Sequence, residues 1–330
     1  CIVATGSSPA KINFLDKKYP RIINSTQALS LKEIPKKMLV IGGGYIGLEL
    51  GTAFASFGSK ITVAEFSSDL LPMADKDLVQ PLSQNLQKKF KNIFLSTEVI
   101  DLQNEKNKVN VTFKNKNKLF KDVFDIVLVS IGRRPNTKFL NLDKAGIKIN
   151  DKGFIPVNEK RRTITPNIYA IGDVNGEPML AHKATHEGKV AAENISGLNS
   201  IFKPMSIPAV IYTNPEIAWT GYTESELKNN KIKYNKGIFP WSASGRAMTT
   251  GDTSGKTKIL TSEDNSRILG VGICGSNAGE LIAEAMLAIE MGANIEDISL
   301  TIHPHPTLSE TIANASEILT KTITDLYIKS

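Results

Sequence analysis

The segment His303-Pro304-His305-Pro306-Thr307-Leu308-Ser309-Glu310 gathers two imidazoles and a carboxylate into eight residues near the end of a 330-residue chain. Prolines at 304 and 306 exclude helix, so a rigid, extended loop is expected, with Glu310 opening the helix that follows. A carboxylate on one ring nitrogen fixes the tautomer and presents the other nitrogen as a base. His305 with Glu310 is therefore a candidate general-base pair. A Pro-rich turn carrying a solvated histidine is the plainer alternative.

A second chemistry lies at Gly42-Gly43-Gly44-Tyr45-Ile46-Gly47, where glycines 42, 44 and 47 fit G-x-G-x-x-G between an apolar strand at 38–41 and a helical pattern running to Phe57. Such glycines allow a tight turn, close approach of backbone amides to a pyrophosphate, and close helix–strand packing. The helix N-terminus adds amides and partial positive charge. Glu65 follows Gly47 by 18 residues, at the end of a second strand over 60–66. A carboxylate there bonds adenosine ribose hydroxyls and repels a 2′-phosphate, and no Lys or Arg occurs over 63–71. NAD is expected rather than NADP, against a purely structural Gly-rich turn.

The third constellation is Gly172-Asp173, after a strand at 168–171 and before a helix at 182–196. Asp173 can accept a hydrogen bond from a polyol hydroxyl, and the helix N-terminus after Met179-Leu180-Ala181-His182 can face an electron-rich ring or a pyrophosphate. An Asp at a strand end serves equally well as a cap or turn residue.

Around these motifs the pattern gives an amphipathic helix at 77–90, a hairpin strand at 109–113 with its turn at 114–118, and a buried strand at 125–131. From 208 onward the texture changes to short strands (209–212, 256–261, 268–274) and a helix at 277–291, with Leu281, Ile282, Ala285, Met286 and Ile289 on one face. Composition is 41% hydrophobic and 22% charged, which suits two or three globular domains. The net charge of +7 comes from scattered lysines without interleaved aromatics, so nucleic-acid binding is not expected. No apolar run approaches the roughly 20 residues that span a bilayer. Cys1 and Cys274, the only cysteines, have no metal-ligand spacing; no metal is expected and a reducing compartment fits.

Taken in order, Ala4-Thr5-Gly6-Ser7, Gly42 to Gly51 with Glu65, Ile131-Gly132-Arg133-Arg134-Pro135-Asn136-Thr137, Tyr169-Ala170-Ile171-Gly172-Asp173, Met179-Leu180-Ala181-His182-Lys183-Ala184, Thr213-Asn214-Pro215-Glu216-Ile217-Ala218 and His303 to Glu310 resemble the flavoprotein disulfide reductases over essentially the whole chain. The resemblance implies an α/β fold in which a Rossmann-like NAD domain is inserted in a partly missing FAD domain, followed by an α+β dimerisation domain. The implied boundaries are 1–35 (FAD), 36–153 (NAD), 154–205 (FAD, second part) and 206–330 (dimerisation). It implies FAD and NAD as cofactors and a homodimer as the working form. Asp173 and Met179, Leu180, Ala181 and His182 would hold flavin, with Thr5, Gly6 and Ser7 as a junction passing beside it. Glu65, Val99, Gly132 and Glu49 would join Gly42, Gly43, Gly44, Ile46 and Gly47 around NAD. Tyr45 would cover the flavin face or simply pack. His305 would act in the partner's active site, oriented by Glu310 and supported by His303.

The implied reaction is oxidation of dihydrolipoyl groups, carried on a 2-oxo acid dehydrogenase complex or a glycine-cleavage carrier, with reduction of NAD in the cytoplasm or a mitochondrial matrix. The family's N-terminal FAD glycine motif and Cys-x4-Cys pair are not in this sequence. The chain is therefore expected to be a fragment, inactive alone. Glutathione reductase (normally NADP-linked), mercuric reductase, a transhydrogenase and an inactive docking or dimerisation module stay open as alternatives.

Overall fold

The computed structural model describes residues 1–12 and 19–327. In chain order the strands and helices are β1 (Ile2–Val3), β2 (Ser7–Pro9), β3 (Ile22–Asn24), α1 (Ser25–Ala28), β4 (Lys37–Ile41), α2 (Tyr45–Ser56), β5 (Lys60–Ala64), α3 (Lys76–Lys89), β6 (Asn92–Phe94), β7 (Thr97–Glu105), β8 (Lys108–Asn115), β9 (Lys118–Phe124), β10 (Ile126–Val129), β11 (Arg133–Pro135) and β12 (Tyr169–Ala170). There follow α4 (Ala181–Ile195), β13 (Ala209–Ile211), β14 (Glu216–Gly221), α5 (Glu224–Asn229), β15 (Asn235–Pro240), α6 (Gly245–Thr250), β16 (Lys256–Thr261), β17 (Ile268–Gly275), α7 (Ala278–Met291), α8 (Ile295–Leu300) and α9 (Glu310–Thr320). Among the described residues no helix is long and apolar enough to cross a membrane.

Contacts divide the chain into two compact units, one of residues 1–11 with 131–204 and one of 12–130 with 205–330. In the first, β1 pairs in parallel with β12 and β2 pairs antiparallel with β11, while Ile147, Ile155, Ala170 and Val174 form a small core. The expected boundaries at 35/36 and 153/154 thus compare with breaks at 11/12 and 130/131. The reason is strand pairing: Arg133–Pro135 is hydrogen-bonded to Ser7–Pro9, and Ile22–Asn24 belongs to the sheet of the second unit. Residues 13–18 and 328–330 of the expected domains lie outside the described residues.

In the second unit a parallel sheet runs β3-β10-β4-β5-β6. Met38, Leu39, Val40, Val127 and Leu128 are fully buried, as the continuous apolar runs of a sheet covered on both faces require. Leu48 and Phe54 of α2, with Leu78, Leu82 and Leu86 of α3, belong to one apolar cluster with Met38, Val40 and Leu128. The meander β7-β8-β9 supplies the other, where Val99, Val109, Val111, Phe113 and Phe124 pack with Leu39, Ile41, Val127 and Val129. The antiparallel sheet β13-β14-β17-β16-β15 carries α7 and α9, with Trp241, Ile259, Ile273, Ile282 and Ile312 in its core.

Helix α3 is fastened to that antiparallel sheet by packing and by charge. A Cβ on Gly272 would come within 2.3 Å of Leu78, so only glycine lets the helix lie this close. Beside it Asp75, Asp77 and Glu224 converge, and the Lys258 ammonium stands among them at 2.6, 2.7 and 3.0 Å, with its side chain 1% exposed. Burial alone would lower the Lys258 pKa, but its bonds to Asp75 and Asp77 raise it overall. Burial alone would raise the Glu224 carboxyl, but hydrogen bonds from Tyr234 and Lys258 hold it at about 2 rather than 4.5. A depressed carboxyl stabilises the fold fully above pH 4.5, and that contribution is lost as pH falls toward about 2. The raised Lys258 contributes below its ordinary 10.5, and this is lost as pH climbs past its higher folded value.

Removing this buried cation takes from Asp75 and Asp77 their ion-pair partner, while Glu224 keeps Lys236 and Lys228. Lys258→Met should lower unfolding free energy in urea by about 3–5 kcal/mol, as for other broken buried pairs. A loss under about 1 kcal/mol would mean the carboxylates relax into water.

Candidate active site

The loop between α8 and α9 presents its two histidines differently. His305 is exposed (side chain 76%), and its Nδ1 lies 2.8 Å from Glu310 Oε1. The other carboxylate oxygen, Oε2, accepts the Thr307 N–H at 2.7 Å. A carboxylate accepts, so Nδ1 carries the proton and Nε2 keeps a lone pair, for which the described residues supply no hydrogen-bond partner. Thr307 Oγ donates to Pro304 O at 2.7 Å and stiffens the same turn. His303 instead turns inward, 7% exposed, against Glu284 of α7.

In the parallel sheet, β4 is followed by Gly42, at φ +105, where the loop turns into α2. A Cβ on Gly47 would lie 2.3 Å from Gly42 O and 2.5 Å from Ser130 Oγ, and one on Gly43 would lie 2.5 Å from Leu70 Cδ2. Glycine at 43 and 47 is thus required by the protein's own packing. Gly44, the N-cap of α2, has open space where its Cβ would be and no side-chain cap. The open side at the start of α2, with the partial positive charge of the helix N-terminus, fits a pyrophosphate. Glu65 is 9% exposed, and its two oxygens accept the N–H groups of Gly43 at 2.5 Å and Ser67 at 2.6 Å. It holds the loop shut; each oxygen retains a lone pair for a ribose hydroxyl.

The other expected nucleotide residues of this unit are tied to the protein more than to open space. Glu49 Oε1 accepts the Tyr212 N–H at 2.9 Å, and burial raises its carboxyl above 4.5 despite that bond. Val99 buries its side chain in the meander core, at a bulge between β7 and β8. Tyr45 packs against the apolar cluster under α2, and Ile46 is half-buried.

The first unit carries the remaining expected residues. Gly172 turns at φ +75, and its N–H is accepted by Glu187 Oε2 at 2.7 Å. Glu187 is wholly buried and is neutralised by Arg161 at 2.9 Å and Lys183 at 3.3 Å. Lys183 also donates to Asn175 Oδ1 and Gly176 O, so one ionic knot shapes the turn holding Asp173. Asp173 Oδ2 accepts the Ser7 hydroxyl at 2.5 Å, and Ser7 Oγ in turn accepts Arg133 Nε at 2.7 Å. The polyol contact expected of Asp173 thus has a protein hydroxyl already on one oxygen. Gly6 adopts φ +67 and Gly132 φ +114, with the Gly132 carbonyl accepting the Ala10 N–H at 2.9 Å. Thr5 Oγ donates to Asn136 O. Helix α4 begins at Ala181 with Leu180 as an N-cap that offers no side-chain acceptor, while Met179 is half-buried and Ala181 and His182 are exposed. A helix start without a side-chain cap, beside an ordered Asp173 turn, fits a flavin nucleotide.

Sequence reasoning missed Ser7–Arg133, the Glu187 knot, Ser130 and Glu284. Only Lys183 and Glu187 left a local signal, their four-residue spacing on a helix. Three carboxylates within 4.8 Å of one another at Asp75, Asp77 and Glu224 resemble a metal cluster, but Lys258 fills its centre.

The profile of the pyridine nucleotide-disulphide oxidoreductases matches residues 1–188, and that of their dimerisation domain matches 207–316. The chain belongs to this family, whose fold joins FAD- and NAD-binding domains to a dimerisation domain. It is 48% identical to the dihydrolipoyl dehydrogenase of Vibrio cholerae over 326 residues, covering 98% of this chain and 68% of that one. The Bacillus subtilis dihydrolipoyl dehydrogenase is 43% identical over 320 residues, covering 96% and 67%. Among solved structures, LpdA of Mycobacterium tuberculosis superposes with a TM-score of 0.88 at 26% identity, covering 96% of this chain and 69% of that one. The HOCl-induced flavoprotein disulfide reductase RclA of Escherichia coli gives 0.87 at 26%, covering 96% and 73%.

Glu65→Ala frees two loop amides at once. With hydrogen bonds to a charged group contributing about 1.5–3 kcal/mol, the KM for NAD should rise at least about tenfold in the FAD-loaded enzyme. A KM within about twofold of the parent would remove Glu65 from nucleotide binding.

Proposed function

We propose that this chain serves FAD-dependent oxidation of dihydrolipoyl groups with reduction of NAD, as a homodimer, and that His305 is its general base. The observation carrying the base assignment is the Glu310–His305 contact, with Nδ1 committed and Nε2 open on an exposed ring. The relatives of matching sequence support the substrate class. A dihydrolipoyl arm on a multienzyme-complex subunit or carrier protein would bring its dithiol to Nε2. His305 takes the thiol proton there, and the resulting thiolate exchanges with the family's redox disulfide. Glu310 stabilises the imidazolium that forms and keeps the ring from turning. Cys274 is not a thiolate donor in this scheme: burial pushes its thiol up to about 12.

The residues that would hold NAD are Gly42 to Gly47 with Glu65 and Val99. Asp173 and Met179 to His182, with Gly6 and Ser7, would hold FAD. When bound there, FAD would supply the two-electron chemistry that links a dithiol to NAD. Glu65 and the absence of Lys or Arg over 63–71 disfavour the 2′-phosphate of NADP and hence the glutathione-reductase alternative. Two unpaired cysteines are in keeping with a cytoplasmic enzyme.

In the FAD-loaded dimer, His305→Ala should cut kcat for dihydrolipoamide by about 10²–10⁴-fold, the range for losing a general base. NADH-driven reduction of ferricyanide needs no thiol deprotonation and should continue. Unchanged dihydrolipoamide turnover would exclude His305 as the base.

A further inference from the structure

We propose that the inward-turned His303 and the partly exposed Glu284 form a second imidazole–carboxylate pair that positions His305; this rests on His305 being the base. His303 has an acceptor on each ring nitrogen: Thr301 O at 2.9 Å from Nδ1 and Glu284 Oε1 at 2.7 Å from Nε2. A carbonyl oxygen only accepts, so Nδ1 carries a hydrogen. The contact between Nε2 and Oε1 then needs a further proton, whichever partner holds it. The pair is therefore a closed unit with no free nitrogen, and His303 cannot itself take a proton from a substrate. Two residues along, His305 has one acceptor and one open nitrogen.

The brace matters because of what surrounds it. Ile302 is 96% exposed, and Pro304 has no N–H to donate. Glu284 reaches His303 from α7, while Glu310 reaches Thr307 and His305 from α9. His305 lies midway between these two fastenings. Glu310 sets the rotation of its ring, and the His303 pair sets where its backbone stands. A base displaced by about 1 Å can lose on the order of 100-fold in rate.

The test compares variants of the FAD-loaded homodimer, assayed with dihydrolipoamide and, separately, for NADH–ferricyanide reduction. His303→Phe keeps a ring and removes both bonds; Glu284→Ala removes the acceptor. Both should lower kcat for dihydrolipoamide by about 10- to 100-fold, with ferricyanide reduction and the dimer unchanged. Glu284→Gln can donate its amide N–H to a neutral Nε2 while Nδ1–H stays on Thr301, so it should recover to within about threefold of the parent. Dihydrolipoamide turnover by His303→Phe within about twofold of the parent, beside a collapsed His305→Ala, would overturn the brace and leave the base assignment standing. Parallel loss of both activities, or Glu284→Gln as slow as Glu284→Ala, would also overturn it. An active His305→Ala would instead sink the base assignment, and the brace with it.

Discussion

A carboxylate that accepts a main-chain N–H holds each functional loop of this chain. Glu65 takes Gly43, Glu187 takes Gly172, and Glu310 takes Thr307. In the proposed function the three loops do unrelated jobs, and each would have to leave amides or a ring nitrogen open to a ligand. An unoccupied loop has no intrinsic reason to stay open, because its polar groups would otherwise turn to one another or to water. A charge-assisted bond from a fixed side chain fixes the turn without using its outward face. Where the carboxylate is wholly buried, as at Glu187, two cations accompany it; where it sits nearer the surface, as at Glu310, none is needed.

The same economy explains Lys258. Its ammonium binds the N-cap residue of α3, Asp75, to the antiparallel sheet that carries α7 and α9, while the Glu224 N–H donates to the same Asp75. Helix α3 also packs under the parallel sheet through Leu82 and Leu86. One helix is thus shared between the nucleotide-type sheet and the sheet bearing the histidine loop, and the charges oppose its sliding in either direction. An apolar residue of similar length at 258 could fill the space but would leave Asp75 and Asp77 without their cation, with only Glu224 still paired, to Lys236 and Lys228. A cation at this sheet position answers the two carboxylates at the start of α3.

Local motifs made much of this legible. G-x-G-x-x-G between a strand and a helix, Glu65 at the next strand end, and the Pro-flanked histidines each place chemistry within a few residues, so spacing alone predicts the local arrangement. The continuous apolar run near 127 lies inside the parallel sheet, between β3 and the central β4, and the helices near 77–90 and 277–291 form within a residue of where periodicity puts them. What spacing could not give is partnership across the chain. Ser7 and Asp173 are 166 residues apart, and Lys258 and Asp75 are 183 apart. Glu284 is separated from His303 by 19 residues and a whole short helix, and nothing local distinguishes it from the other acidic residues of α7. The two compact units follow strand pairing between distant segments, which local spacing does not display.

The contrast between His303 and His305 bears on what the proposed base would require of its loop. A nitrogen that must receive a substrate proton has to face solvent, and exposure normally brings rotational freedom. Here the freedom is removed from outside the ring's working edge. Glu310 engages Nδ1, and the neighbouring histidine spends both of its nitrogens on the protein. For a homodimer this has a specific consequence. If His305 serves the partner's active site, that site cannot orient the ring before the subunits meet. All the fastenings seen here lie within one chain, so association would deliver a base already aligned, and the entropic cost of alignment would be met in folding rather than at each turnover.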